Sequence, residues 1–231
     1  MAVTLSHYRF GINELAESTH GWHAAEDANP AAGAIAMDTT FLLRFTLQCD
    51  ATLQSNVDPE FQYRKNGGAW TNLNTTSTNM RAVTTAIFAN AANTTKRLSG
   101  TGTFETTSAG CTHDGVSGGT AMDIVASGNA ETECSMQLRS ADLVGGDLLE
   151  FRLTRDGGTL IDTYSVVPAL IAAGAQTRTT GTVTATITAP TATSSAEVTV
   201  QAGTVAATVT APAAALDAGG PQTLDAGAPV V

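Results

Sequence analysis

The chain has 231 residues, of which 42% are hydrophobic and only 14% charged, and its formal net charge is −10. An average soluble domain carries roughly 25% charged residues, so this surface is neutral and hydroxyl-rich, suited to close contact with neighbouring chains. The acidity argues against a nucleic-acid partner. Basic pairs occur only singly, at Arg64-Lys65 and Lys96-Arg97, and phosphate binding needs clustered cations.

In chain order, the first ten residues (MAVTLSHYRF) hold no basic region followed by an apolar run, so no secretory signal is expected. Ile12 to Ser18 (INELAES) predicts at most a turn or two of helix. Thr40 to Asp50 (TFLLRFTLQCD) predicts a half-buried strand: Phe41, Leu43, Phe45, Leu47 and Cys49 share one face, and Arg44, Thr46 and Gln48 the other. Phe61 to Leu73 predicts a hairpin turning at Asn66-Gly67-Gly68, residues that tolerate positive φ. Cys134, Met136 and Leu138 alternate with polar neighbours, as do Leu149, Phe151 and Leu153, and a second hairpin is expected at Asp156-Gly157-Gly158. The Gly/Ser-rich stretch Ser108 to Gly128 reads as a long loop. No apolar stretch is long enough to span a bilayer as a helix. Many strands with Gly and Asn turns and no sustained helical period predict an all-β fold, an antiparallel β-sandwich of jelly-roll or Ig-like type. The body is placed at residues 1–170.

Residues 171–231 differ in composition. From Leu170 onward the only charges are Arg178, Glu197, Asp217 and Asp225. Gly181 to Pro190 (GTVTATITAP) and Gly203 to Pro212 (GTVAATVTAP) agree at eight of ten positions, offset by 22 residues. Such small side chains build no core of their own. The segment is expected to be an extended, β-rich C-terminal arm completed by neighbouring chains, with an unstructured linker as the alternative.

Four groups of residues carry candidate chemistry. His20-Gly21-Trp22-His23 pairs two imidazoles, but no third ligand follows by spacing, so packing around Trp22 is the favoured reading over a metal site. Cys111-Thr112-His113-Asp114 gathers nucleophile, base and acid types in one loop, whereas catalytic groups usually come from separate segments. Asp114, Asp123, Glu131 and Glu133 offer carboxylates without a calcium-loop spacing. Trp22, Trp70, Tyr63 and Tyr164 would be the aromatic surface for a glycan, if the core does not consume them. With Cys49, Cys111 and Cys134 as the only cysteines, an odd count without CxxC spacing, neither a disulfide framework nor a cysteine zinc site is indicated, and buried free thiols are expected. No catalytic, cofactor-binding or metal-binding residue is assigned.

The blocks YRFG…ESTHGWHAAED (Tyr8 to Asp27), TTFLLRF (Thr39 to Phe45), FQYRKNGGAWTNL and DLLEFRLTRDGGTLIDTYSV resemble, in order and spacing, an uncharacterised family of phage and prophage structural proteins. The repeated tail is similar to extensions on virion proteins. The resemblance implies a non-enzymatic virion component, foremost a capsid decoration protein, made in the host cytoplasm and carried in the particle. Implied partners are a major capsid or tail protein and further copies of the chain. A receptor- or glycan-binding tail module is the alternative, and a hydrolase of cell-surface polymers the third reading.

Overall fold

The computed structural model describes residues 2–113, 121–156 and 158–173. The expected arm, apart from its first residues, lies outside the described residues. Among the described residues the fold is all-β, without a helix, in curled sheets.

The described residues form thirteen strands: β1 (Val3–Ile12), β2 (Thr40–Cys49), β3 (Gln54–Val57), β4 (Pro59–Lys65), β5 (Thr71–Asn72), β6 (Met80–Ala82), β7 (Cys111–Thr112), β8 (Met122–Ile124), β9 (Asn129–Leu138), β10 (Leu148–Arg155), β11 (Thr159–Leu160), β12 (Thr163–Tyr164) and β13 (Ala169–Ile171). One sheet runs β12-β1-β2-β9-β6, with β7 also on β9. A second runs β11-β10-β4-β5, with β13 also on β10, and β3 pairs with β8. The two larger sheets share one apolar core, in which Phe10 meets Phe151 at 5.8 Å and Phe45 meets Phe61 at 5.7 Å between ring centroids.

Both expected hairpins are present. β4 returns as β5 through Asn66 and Gly67 at φ 50° and 71°. β10 returns as β11 through Asp156 and Gly158 at φ 49° and 100°. All three cysteines are free and buried. Ile12 to Ser18 makes no helix: β1 runs through Ile12, and the chain then folds into a single turn in which Ala16 O accepts from the amides of Thr19 and His20. Two pairings are parallel, β12 on β1 and β7 on β9, so the larger sheet is not wholly antiparallel. The body also runs past residue 170, since β13 spans 169–171 and Ala172 is buried.

The expected half-buried β2 is buried on both faces. Leu42, Arg44 and Thr46, on the side opposite the core, are fully buried. A length of chain between β6 and β7 lies along that side and meets each outward residue in turn. Leu42 packs with Phe88 and Cys111. The side chains of Arg44, Thr46 and Gln48 donate to the carbonyls of Thr95, Ser99 and Thr101 at 2.7, 3.2 and 3.2 Å. The sequence period reported one core face correctly but could not show that a distant segment covers the other. Gly110 permits a close approach to β9. A Cβ there would lie 2.3 Å from Glu131 O, and its own carbonyl accepts from Glu133 N and the Thr132 hydroxyl.

Candidate functional site

The most concentrated chemistry in the described residues sits between the β2–β9 surface and this covering chain. β2 pairs antiparallel with β9, which sets Arg44 directly opposite Glu133 and brings Glu131, two residues along, onto the same face. Opposite charges facing each other across strands attract. Here the covering chain also excludes water from them. Arg44 Nη1 donates to Glu131 Oε2 at 2.8 Å, and Nη2 donates to Glu133 Oε2 at 2.7 Å and to Glu17 Oε1. Glu17 reaches this point from the turn after β1 and accepts from the Thr95 amide and hydroxyl. Glu131 Oε1 accepts from the amides of Arg97 and Leu98. His20 closes the group. Its Nε2 lies 2.9 Å from Glu133 Oε1, and its Nδ1 donates to Gly21 O at 3.0 Å.

A charge in a low-dielectric interior is tolerated only when it is paired and hydrogen-bonded, and the protonation equilibria follow from that balance. Burial works to raise Glu133, but Arg44 and His20 outweigh it and hold its carboxyl below the usual range. For Glu131 burial wins over Arg44, and its carboxyl is raised. Burial opposes the charge on Arg44, yet the surrounding carboxylates raise its affinity for the proton.

A pH dependence follows. A carboxyl depressed in the folded state contributes stability that is present above its unfolded pKa, ordinarily 4.5, and lost as pH falls through its folded value. Glu133→Gln should therefore lower unfolding free energy at pH 7, and the gap to wild type should narrow at pH 3, measured by urea titration. A gap independent of pH would show that Glu133 is not ionised in the fold.

The structure disperses the other nominated residues. His20 belongs to the sealed centre, whereas His23 donates its amide to Phe10 O and its imidazole is lowered, chiefly by burial. Trp22 packs edge-on to His20 at 4.6 Å and stacks with the guanidinium groups of Arg9 and Arg97 at 4.7 and 4.4 Å. Cys111 is buried and its thiol is pushed up by burial and by Glu133 and Glu17, the opposite of what a thiolate nucleophile requires. The His113 ring stacks on Phe88, and Asp114 lies outside the described residues. Asp123 is apart from Glu131 and Glu133, accepting from the Asn56 amide. Of the four carboxylates expected to gather, Glu131 and Glu133 do so, around an arginine and beyond the reach of solvent.

The aromatic platform does not assemble as a set. Tyr63 is buried in the core and donates to Thr78 O, and Tyr164 donates to Leu153 O. Trp70 lies on the opposite face of the β4–β10 sheet, over Arg64 at 4.7 Å and Arg152 at 4.3 Å. Arg64 is clamped by Glu150 at 2.7 and 2.8 Å, and Arg152 donates to Gln62. No carboxylate among the described residues pairs with Arg152.

Sequence reasoning missed Arg44, Glu17 and Arg97 as a unit. The available signal was a charged residue at the centre of an apolar strand together with two glutamates spaced i, i+2 on another. Joining them requires the β2–β9 register, which neither strand encodes alone. No family model, curated protein or solved structure matches the chain.

Proposed function

We propose that the chain is a non-enzymatic phage virion structural protein, foremost a capsid decoration protein. In this reading its body is a β-sandwich of jelly-roll or Ig-like type, and it assembles through surface contacts and its C-terminal arm. Its partners are a major capsid or tail protein and further copies of itself, and its place is the virion.

One observation carries this reading. Of the seven large hydrophobic residues exposed among the described residues, five fall between Val144 and Ile171: Val144, Leu148, Leu160, Val167 and Ile171. Leu148 and Ile171 stand opposite each other in the β10–β13 register, next to where the chain continues into the arm. Exposed apolar side chains that stand together on a low-charge protein, as Leu148 and Ile171 do, favour a protein interface. The sealed Arg44 centre supports the same reading, because its chemistry fastens covering chain to sheet and leaves Glu131 and Glu133 out of reach of a polymer substrate.

Deleting residues 174–231, which spares the buried Ala172, tests the proposal. The truncated protein should stay folded but lose occupancy in particles purified from the encoding phage, counted by quantitative mass spectrometry. Occupancy equal to wild type would overturn the role of the arm. A copy number on the order of hundreds fits decoration, whereas a handful, matching one symmetric ring, fits a tail position.

The receptor- or glycan-binding alternative is favoured by a separate observation, the Trp70 face with Arg152 free of any acidic partner among the described residues. Trp70→Ala would abolish cell or glycan binding in that case and leave particle occupancy unchanged.

A further inference from the structure

A second convergence of ligand-type side chains lies outside the Arg44 centre. Along β1, Val3 and Leu5 point into the core, and so do Tyr8 and Phe10. The phase changes because the pairing with β2 slips between Leu5 and His7, an irregularity of the β-bulge kind. The slip turns both Ser6 and His7 outward, and such breaks re-aim side chains at sites. Both then line a cleft of about 480 Å³ together with Gln48, Lys96, Ser99 and Thr101.

At the rim of this cleft three donor atoms meet. His7 Nδ1 lies 2.7 Å from Asp27 Oδ2 and 3.2 Å from Glu26 Oε1, and all three atoms lie within 4.8 Å of one another. The carboxylates are held from behind. Asp27 Oδ1 accepts from the Tyr8 amide at 3.0 Å, and Glu26 Oε1 from the Ser99 amide at 2.8 Å. Metal-binding carboxylates are commonly oriented by such second hydrogen bonds. The nearby cation Lys96 donates to Gly100 O at 3.0 Å.

The geometry points to His7, Glu26 and Asp27 as a binding site for a divalent first-row transition metal, zinc by preference. One imidazole nitrogen with two carboxylate oxygens suits such an ion. Calcium wants six to eight oxygens, and among the described residues two side-chain carboxylates converge here. A tetrahedral ion with bonds of about 2.1 Å holds neighbouring ligands roughly 3.4 Å apart. The Glu26–His7 spacing already approaches this, and the His7–Asp27 spacing must open by roughly 0.7 Å. His7 and Asp27 are about one-third exposed, so their side chains have room for that adjustment. Three protein ligands leave a coordination position for water or a ligand from the cleft. Bound metal would tie β1 to the segment that follows Trp22. The inference is independent of the virion reading.

The test uses the full chain after dialysis against chelator, titrated with zinc by calorimetry and with cobalt by visible absorption. The expected result is one equivalent per chain with the intense bands of a four-coordinate cobalt site. His7→Ala, Glu26→Gln and Asp27→Asn should each weaken binding roughly tenfold or more, with circular dichroism confirming the fold. His23→Ala and His113→Ala should bind as wild type. Absence of binding would overturn the assignment and leave the trio as an ion pair. So would affinity unchanged in His7→Ala, or an equal loss in His23→Ala or His113→Ala.

Discussion

Arg44→Met is expected to destabilise the protein by about 3–5 kcal/mol, the range for breaking a buried ion pair by removing one partner. The side chain is fully buried, and it is the shared partner of Glu17, Glu131 and Glu133. Methionine fills much of the space but strands three carboxylates in a dry interior. They must then take up protons, recruit water or push the covering chain away. Since a domain is stable by only about 5–15 kcal/mol, the variant should lose a large share of its stability. Urea unfolding followed by tryptophan fluorescence measures the loss, and Trp22, edge-on to His20, reports on this region directly. Adding Glu131→Gln and Glu133→Gln should recover part of the stability, because a centre emptied of charge on both sides costs less than one emptied on one side. A loss under about 1 kcal/mol for Arg44→Met would place the group in the class of hydrated surface pairs.

Phe45→Ala should cost about 3–5 kcal/mol, through lost apolar burial and the cavity left behind. Phe45 is fully buried at the middle of β2, between β1 and β9, and its ring meets Phe61 of the facing sheet. Surroundings fixed on both sides leave little freedom to collapse into the space. Leu160→Ala is the control. Leu160 is 53% exposed, and its truncation should stay within about 0.5 kcal/mol. A change within error for Phe45→Ala would mean that the two sheets do not depend on each other's contacts.

These two residues are neighbours in sequence, yet only one was legible in it. Phe45 follows from alternation, as do Cys134, Leu149 and both hairpin turns, because a strand's period and a turn's φ demands are local. Arg44 looked like the solvent side of the same strand. Its burial depends on partners 51 to 89 residues away, at Thr95, Glu131 and Glu133, and nothing local announces them. β1 was hidden for a different reason. The irregularity at Ser6 shifts the inward phase from Val3 and Leu5 to Tyr8 and Phe10, so no single period of two runs through the strand. The same shift concealed His7. It stands next to Glu26 and Asp27 only because the chain turns back alongside β1, with Asp27 exchanging hydrogen bonds with the Tyr8 backbone.

The placement of Arg44 also bears on how β2 and β9 choose their alignment. A slip of one residue would turn every apolar side chain to the wrong face and is rejected by the core. A slip of two residues preserves the alternation, so the hydrophobic pattern scarcely distinguishes it from the native pairing. The ionic residues do distinguish it. In the native alignment Arg44 faces Glu133, with Glu131 on its flank. Shifted two residues in one sense it would face Glu131, with Glu133 on its flank and moved away from His20. Shifted in the other it would face Ser135, with Glu131 beyond its reach. The first decoy separates Glu133 from His20, and the second buries Glu131 without its arginine. The centre thus rejects the misalignments that oil-like packing accepts, and its contribution lies as much in excluding wrong structures as in holding the right one.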